Sequence, residues 1–102
     1  MIAVFVTFEY DDEGFDREGI RGVAEHAKDA FVGMPELRLK AFTIDEGDNR
    51  ARNVYLWESE EAARAFFTPE LTERVTGLYG AAPRIEFAEV AALVDNAAAP
   101  VG

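Results

Sequence analysis

Ala51-Arg52-Asn53-Val54-Tyr55-Leu56-Trp57-Glu58-Ser59-Glu60-Glu61-Ala62 passes from one structural period to another within twelve positions. Residues 51–58 read as a strand rich in β-branched and aromatic types. Alternation places Asn53, Tyr55 and Trp57 on one face and Val54 and Leu56 on the other. Ser59 then offers a hydroxyl as helix N-cap, and Glu60 and Glu61 in the first turn suit the positive end of a helix dipole. A strand that hands over directly to a capped helix points to a mixed, layered fold.

Working outward, residues 36–45 (ELRLKAFTID) partly alternate, with Leu37 and Leu39 on one side and Arg38 and Lys40 on the other, as in an edge strand. The turn cluster Glu46-Gly47-Asp48-Asn49 joins this run to 51–58 as a hairpin. Residues 2–9 (IAVFVTFE) form a nearly continuous apolar run that suits a central strand. Asp16 caps the first helix, Phe15 and Ile20 occupy its staple positions, and Ile20, Val23, Ala24, Ala27 and Phe31 make its apolar stripe. Gly33 and Pro35 end it. The second helical region breaks near Phe67 and restarts at Thr68-Pro69, with Leu71, Val75, Leu78 and Tyr79 inward and Gly80 as its stop. Residues 84–94 (RIEFAEVAALV) supply the last strand. The order β-α-β-β-α-β is the split βαβ pattern of α+β, ferredoxin-like folds, with a four-stranded antiparallel sheet. Residues 1–96 read as one domain and 97–102 as a frayed tail.

The 102 residues suffice for one domain. Cysteine is absent, which removes disulfides, thiolate metal sites and cysteine nucleophiles. A formal charge of −10, with no basic stripe, argues against nucleic acid and anionic membranes. No run approaches the ~18 apolar residues that span a bilayer, and the N-terminus lacks a basic leader. The expectation is a soluble, cytoplasmic protein.

Two helices cover one face of such a sheet. Tyr and Trp side chains facing water are wasteful, and buried ones need hydrogen-bond partners. The Asn53–Tyr55–Trp57 row is therefore expected on the face the helices leave open, covered by the sheet of a second copy in a homodimeric α/β barrel. Two such sheets enclose an aromatic-lined cavity with a few polar groups, the usual character of a small-molecule site. Dimer-interface packing is the competing reading for Tyr55 and Trp57. Asn53 weighs toward a site, because a buried amide is costly unless something bonds it.

The run Arg52-Asn53-Val54-Tyr55-Leu56-Trp57-Glu58-Ser59-Glu60-Glu61-Ala62 resembles the Asn…Trp-Glu-Ser-Glu-Glu-Ala segment of antibiotic-biosynthesis monooxygenases in the dimeric α/β-barrel superfamily. Leu37–Phe42 and the segment from Tyr79-Gly80 to Pro83–Phe87 are similar to the small YdhR-like monooxygenases, so the likeness runs over about residues 2–95. The resemblance implies that Asn53 and Trp57 are the catalytic pair and position a phenolic substrate. It implies a homodimer, O₂ as co-substrate and no cofactor: the ionised substrate itself reduces O₂. The family's Tyr just beyond the Trp is replaced here by Ala63-Arg64-Ala65-Phe66-Phe67, and Tyr55 is the nearby alternative hydroxyl. The residues add two negatives, no Gly-rich dinucleotide fingerprint and no metal-ligand spacing.

Further candidates for substrate contact are Phe5, Phe42, Lys40 and His26. Lys40 either stabilises a phenolate from inside the cavity or snorkels along an edge strand. His26, the sole histidine, is either a base or a half-exposed surface group. Phe5, Phe42 and Phe87 fit a pocket wall or a core, and Phe66-Phe67 sit where a mouth could be gated. Glu86 and Glu89 have opposite parity, so at most one faces inward. A non-redox cyclase or isomerase, a non-catalytic ligand-binding dimer and a haem-degrading enzyme are the alternative readings.

Overall fold

The computed structural model describes residues 1–97. Strands β1 (Ile2–Glu9), β2 (Leu37–Asp45), β3 (Arg50–Trp57) and β4 (Arg84–Glu89) form one antiparallel sheet in the order β2-β3-β1-β4. Helices α1 (Arg17–Ala27), α2 (Glu60–Phe66) and α3 (Pro69–Tyr79) lie on one of its faces. This is the ferredoxin-like α+β architecture. No helix among the described residues is long and apolar enough to cross a membrane.

The punctuation works as its chemistry requires. Asp16, Ser59 and Thr68 each accept a hydrogen bond from a backbone N–H three residues on, at Gly19, Ala62 and Leu71. Pro69 opens α3, and Gly80 closes it with φ of 72°, a left-handed value that glycine adopts without steric cost. The α1 helix tightens into a 3-10 turn over Lys28–Phe31 before Gly33, which also has positive φ. Asn49 adopts φ of 51° in the hairpin turn, where asparagine tolerates the left-handed region.

The last strand is shorter than expected. It ends at Glu89, opposite Ile2, where β1 begins. The Val90 N–H donates to the Met1 carbonyl at 3.3 Å. Asp95 lies 3.7 Å from Arg38 on the opposite edge strand, so residues 90–95 cross that end of the sheet. Of the tail expected to fray, residues 98–102 lie outside the described residues.

The face assignment of β3 must be corrected. Ala51, Asn53, Tyr55 and Trp57 stand opposite Phe8, Val6, Val4 and Ile2, the row that packs under the helices. Arg52, Val54 and Leu56 share the helix-free face with Ala3, Phe5 and Thr7. Both rows carry apolar side chains, so alternation alone does not say which is inward. Asn53 does not need a second sheet or a ligand for its amide: its Nδ2 donates to the Tyr79 hydroxyl at 3.2 Å.

The edge strand also departs from simple alternation. A β-bulge at Arg38 shifts the register by one, so Leu37 faces Trp57 while Leu39 faces Leu56. The two leucines expected side by side therefore point to opposite faces. The same shift puts Lys40 opposite Tyr55, on the helix side.

Candidate active site

A cavity of about 170 Å³ lies between the sheet and the helices. Its floor is built by β1, β2 and β3 through Val6, Phe8, Lys40, Phe42, Asn53 and Tyr55. The roof comes from Val23 and Ala27 of α1, Phe31 of the 3-10 turn, Phe66 and Phe67 at the α2–α3 break, and Leu71, Val75, Leu78 and Tyr79 of α3. An apolar cavity of about 150 Å³ accepts benzene, so the space takes at least one aromatic ring. The cavity thus forms within one chain and not between two facing sheets, because the aromatic row of β3 points under its own helices.

Seven aromatic rings line the walls, with aliphatic side chains between them. Phe8 and Tyr79 stack with centroids 3.9 Å apart and planes 2° from parallel. Tyr55 meets Phe67 edge-on at 5.0 Å and Phe31 at 6.1 Å. Thr68 makes this possible: its cap stops α2 and restarts α3, and the two phenylalanines at the break turn toward the sheet.

Besides Thr72 and Arg74 of α3, the polar groups sit at two places. At the first, Asn53 donates to the Tyr79 hydroxyl, and the Tyr79 carbonyl accepts from the Tyr10 hydroxyl at 2.7 Å. Burial raises the Tyr79 pKa, and the Asn53 hydrogen bond only partly opposes it. Burial also pushes the Tyr55 hydroxyl well above the ordinary tyrosine value, with Tyr79 adding to it. Both remain protonated phenols near neutral pH, able to donate.

Lys40 is the second. Its Nζ lies 3.4 Å from the Phe31 ring centroid, 4.1 Å from that of Phe42 and 4.4 Å from that of Tyr55. Desolvation by burial lowers its pKa from 10.5 to about 7. An exposed lysine on an edge strand stays charged; this one divides between amine and ammonium at neutral pH.

Of the residues singled out in the sequence, Asn53, Tyr55, Lys40 and Phe42 line this cavity together. Trp57 does not. It is 2% exposed and stands one layer behind, 5.1 Å from the Phe66 ring and near-parallel to Tyr55 at 6.3 Å. Its Nε1 is buried with no hydrogen-bond partner among the described residues. Phe5 lies on the opposite face of the sheet, under the Arg52 guanidinium at 4.9 Å. His26 is exposed on α1 and lines neither the cavity nor the grooves beside it. Phe87 packs against Phe67 and Arg64 outside the lining. Of the two acids on β4, Glu89 shares the helix-side parity, at the end by Ile2, and Glu86 faces Phe5.

Two contributors escaped sequence reasoning. Tyr79 read only as part of an apolar stripe, although its hydroxyl is the partner of Asn53. Phe31 read as the last residue of that of α1, although its ring is the nearest to the Lys40 amine. A tyrosine directly before a helix-ending glycine was the one available signal for the first. Among the described residues no group of three His, Asp or Glu side chains converges to hold a metal ion.

No protein-family model and no curated protein matches the chain. Solved structures do. A monooxygenase from the ActVA-Orf6 gene of Streptomyces coelicolor, in complex with nanaomycin D, has a TM-score of 0.65 at 20% identity over 93% of this chain and 92% of its own. SnoaB, a cofactor-independent oxygenase from Streptomyces nogalater, has a TM-score of 0.64 at 14% identity over 91% of this chain and 95% of its own. A dimeric ferredoxin-like protein of unknown function from Thermobifida fusca has a TM-score of 0.64 at 16% identity over 87% of this chain and 90% of its own. At these identities the likeness is one of fold: the chain has the ferredoxin-like fold shared by antibiotic-biosynthesis monooxygenase-like proteins.

Proposed function

We propose that the chain is a cofactor-independent monooxygenase acting on a small planar phenol, enol or anthrone-like substrate. The observation that carries this reading is the ring-lined cavity in which Asn53, Tyr79 and Lys40 supply the polar groups. Rings stack on a planar substrate and the polar groups meet its oxygen. The fold shared with an oxygenase described as cofactor-independent supports it.

The chemistry balances without a cofactor. The substrate loses a proton, and its anion passes one electron to O₂. The radical pair joins at carbon, and the peroxide loses water. A CH₂ group becomes C=O, one oxygen atom is retained and the other leaves as water. Asn53 donates to the substrate oxygen that gathers charge, Tyr55 and Phe42 flank the ring, and Trp57 acts from behind by fixing Tyr55 and Phe66.

The working unit is a homodimer. Ala3, Phe5, Leu39 and Val54 share the helix-free face and are at least partly exposed there. A second copy of that face supplies apolar cover.

The test is O₂ consumption with anthrone and naphthol substrates, using protein stripped of flavin in the presence of a chelator. Uptake that falls at least about tenfold in Asn53→Ala, a loss of one hydrogen bond to a charged oxygen, is the expected result. No uptake with any ligand that binds in the cavity refutes the oxygenase. The protonated Tyr55 and Tyr79 favour one other reading, a non-redox isomerase or cyclase in which they donate to an enolate oxygen. Its turnover would continue without O₂.

A further inference from the structure

We propose that Lys40 is the general base of the cavity, taking the hydroxyl proton of a bound phenol or enol and returning it to solvent through a second groove at the sheet edge. This deepens the reading above and rests on its aromatic-ligand cavity.

Three observations converge on Lys40. The first is its placement. Without the bulge at Arg38, the register that begins at Leu37–Trp57 would carry Lys40 to the face of Val54; with it, Lys40 stands opposite Tyr55 beneath the helices. Bulges of this kind re-aim side chains beside active sites.

The second is elimination among the titratable groups that line the space. Besides Lys40 they are Tyr55 of β3, and Arg74 and Tyr79 of α3. Arginine does not give up its proton, and burial keeps both tyrosines protonated. No carboxylate lines the cavity or the groove outside it, so no anion locks the lysine in its charged form. Lys28 of the 3-10 turn and Arg38 of β2 face the outer groove, and each is paired with a carboxylate, Lys28 with Glu25 at 2.8 Å and Arg38 with Glu58 at 3.5 Å. Its lowered pKa follows from burial. His26, the base considered from sequence, is on the outside of α1.

The third is a route for the proton. The cavity and the outer groove share Phe31, Lys40 and Phe42, which form the partition between them. An amine in that partition reaches substrate on one side and water on the other. The ring faces of Phe31, Phe42 and Tyr55 accept the ammonium once it forms. The step is then neutral amine plus phenol to ammonium plus phenolate. The N–H bond forms as the O–H bond breaks, and the paired charges remain in the cavity until O₂ enters.

The experiment is an anaerobic titration with 2-naphthol at pH 8, where the free probe is un-ionised and its naphtholate band lies beyond protein absorption. Net proton release is followed in weak buffer with an indicator. Wild type should show the naphtholate band with almost no proton released, because Lys40 takes it. Lys40→Arg, which offers charge but cannot accept a proton, should release about one proton for each naphtholate formed. Lys40→Met should show at least about tenfold less naphtholate, the effect of a shift of one pKa unit. Absence of the band in wild type, an undiminished band in Lys40→Met, or one proton released per naphtholate by wild type each overturns the assignment. Because no turnover is involved, a protein that ionises naphthol this way but consumes no O₂ keeps its base and loses only the oxygenase.

Discussion

The two rows of β3 are neighbours in sequence and opposites in role. Asn53, Tyr55 and Trp57 are each no more than 4% exposed and lie under the helices, with rings of α2 and the 3-10 turn against them. Arg52, Val54 and Leu56 face away from every helix, beside Phe5 and Thr7. One row therefore builds a cavity within the chain, and the other faces away from the helices, with Arg52 and Val54 half-buried and Leu56 buried. The large, polar-tipped residues are the ones enclosed. The helices bring their own polar partner, the Tyr79 hydroxyl, and enough ring area to cover them.

Truncating one phenylalanine on each side should separate the two rows most strongly. Phe8 is fully buried and stacked on Tyr79, so Phe8→Ala should cost about 3–5 kcal/mol. Urea unfolding at fixed protein concentration measures it. Phe5→Ala should cost less within the chain and instead move the monomer–dimer equilibrium, read by sedimentation across a concentration series. A smaller effect comes from the polar contact of the inner row. Tyr79→Phe keeps the stack but leaves the Asn53 amide buried without its acceptor, a loss of about 1–3 kcal/mol.

Lys40 gives the inner row a pH dependence that the outer row lacks. Its pKa is lowered in the folded state, from 10.5 to about 7. The unfolded chain then binds more protons between those values, so folding stability rises with pH across that window. Below it both states are charged, and the burial penalty stands in full. Allowing for the solvent that reaches the amine, the gain should be on the order of 1 kcal/mol between pH 7 and 9. Denaturation at several pH values should show the slope in wild type and its absence in Lys40→Met, which should also be the more stable at pH 6. Arg52 and Val54 predict the smallest effect. Val54→Thr on the open face should change the chain's own stability by only about 0.5 kcal/mol while weakening self-association.

Much of the frame was legible because local chemistry dictates it. Asp16, Ser59 and Thr68 cap helices wherever the chain around them goes, and Gly80 ends one by its positive φ. The alternation of β3 was equally plain. Which of its rows faces inward was not, since Val54 and Leu56 are as apolar as a core requires. The bulge at Arg38 left no mark, because Leu37-Arg38-Leu39-Lys40 already alternates without it. The link from Asn53 to Tyr79 spans 26 residues and depends on how α3 docks. Lys40 shows the consequence: its side chain was noticed, but its face depends on one unpaired residue in the strand.

Ligands are expected to enter on the helix side of the sheet. The most direct measurement is an NMR titration of the isotope-labelled protein with 2-naphthol, following assigned amide and methyl signals. Saturable shifts are expected to centre on Val6, Val23, Leu71 and Val75 with Lys40, while Val54, Ala41 and Ala3 stay still. Shifts centred on Val54, Ala41 and Ala3, with Val6 and Val75 unmoved, would place the ligand between two facing sheets and contradict entry on the helix side.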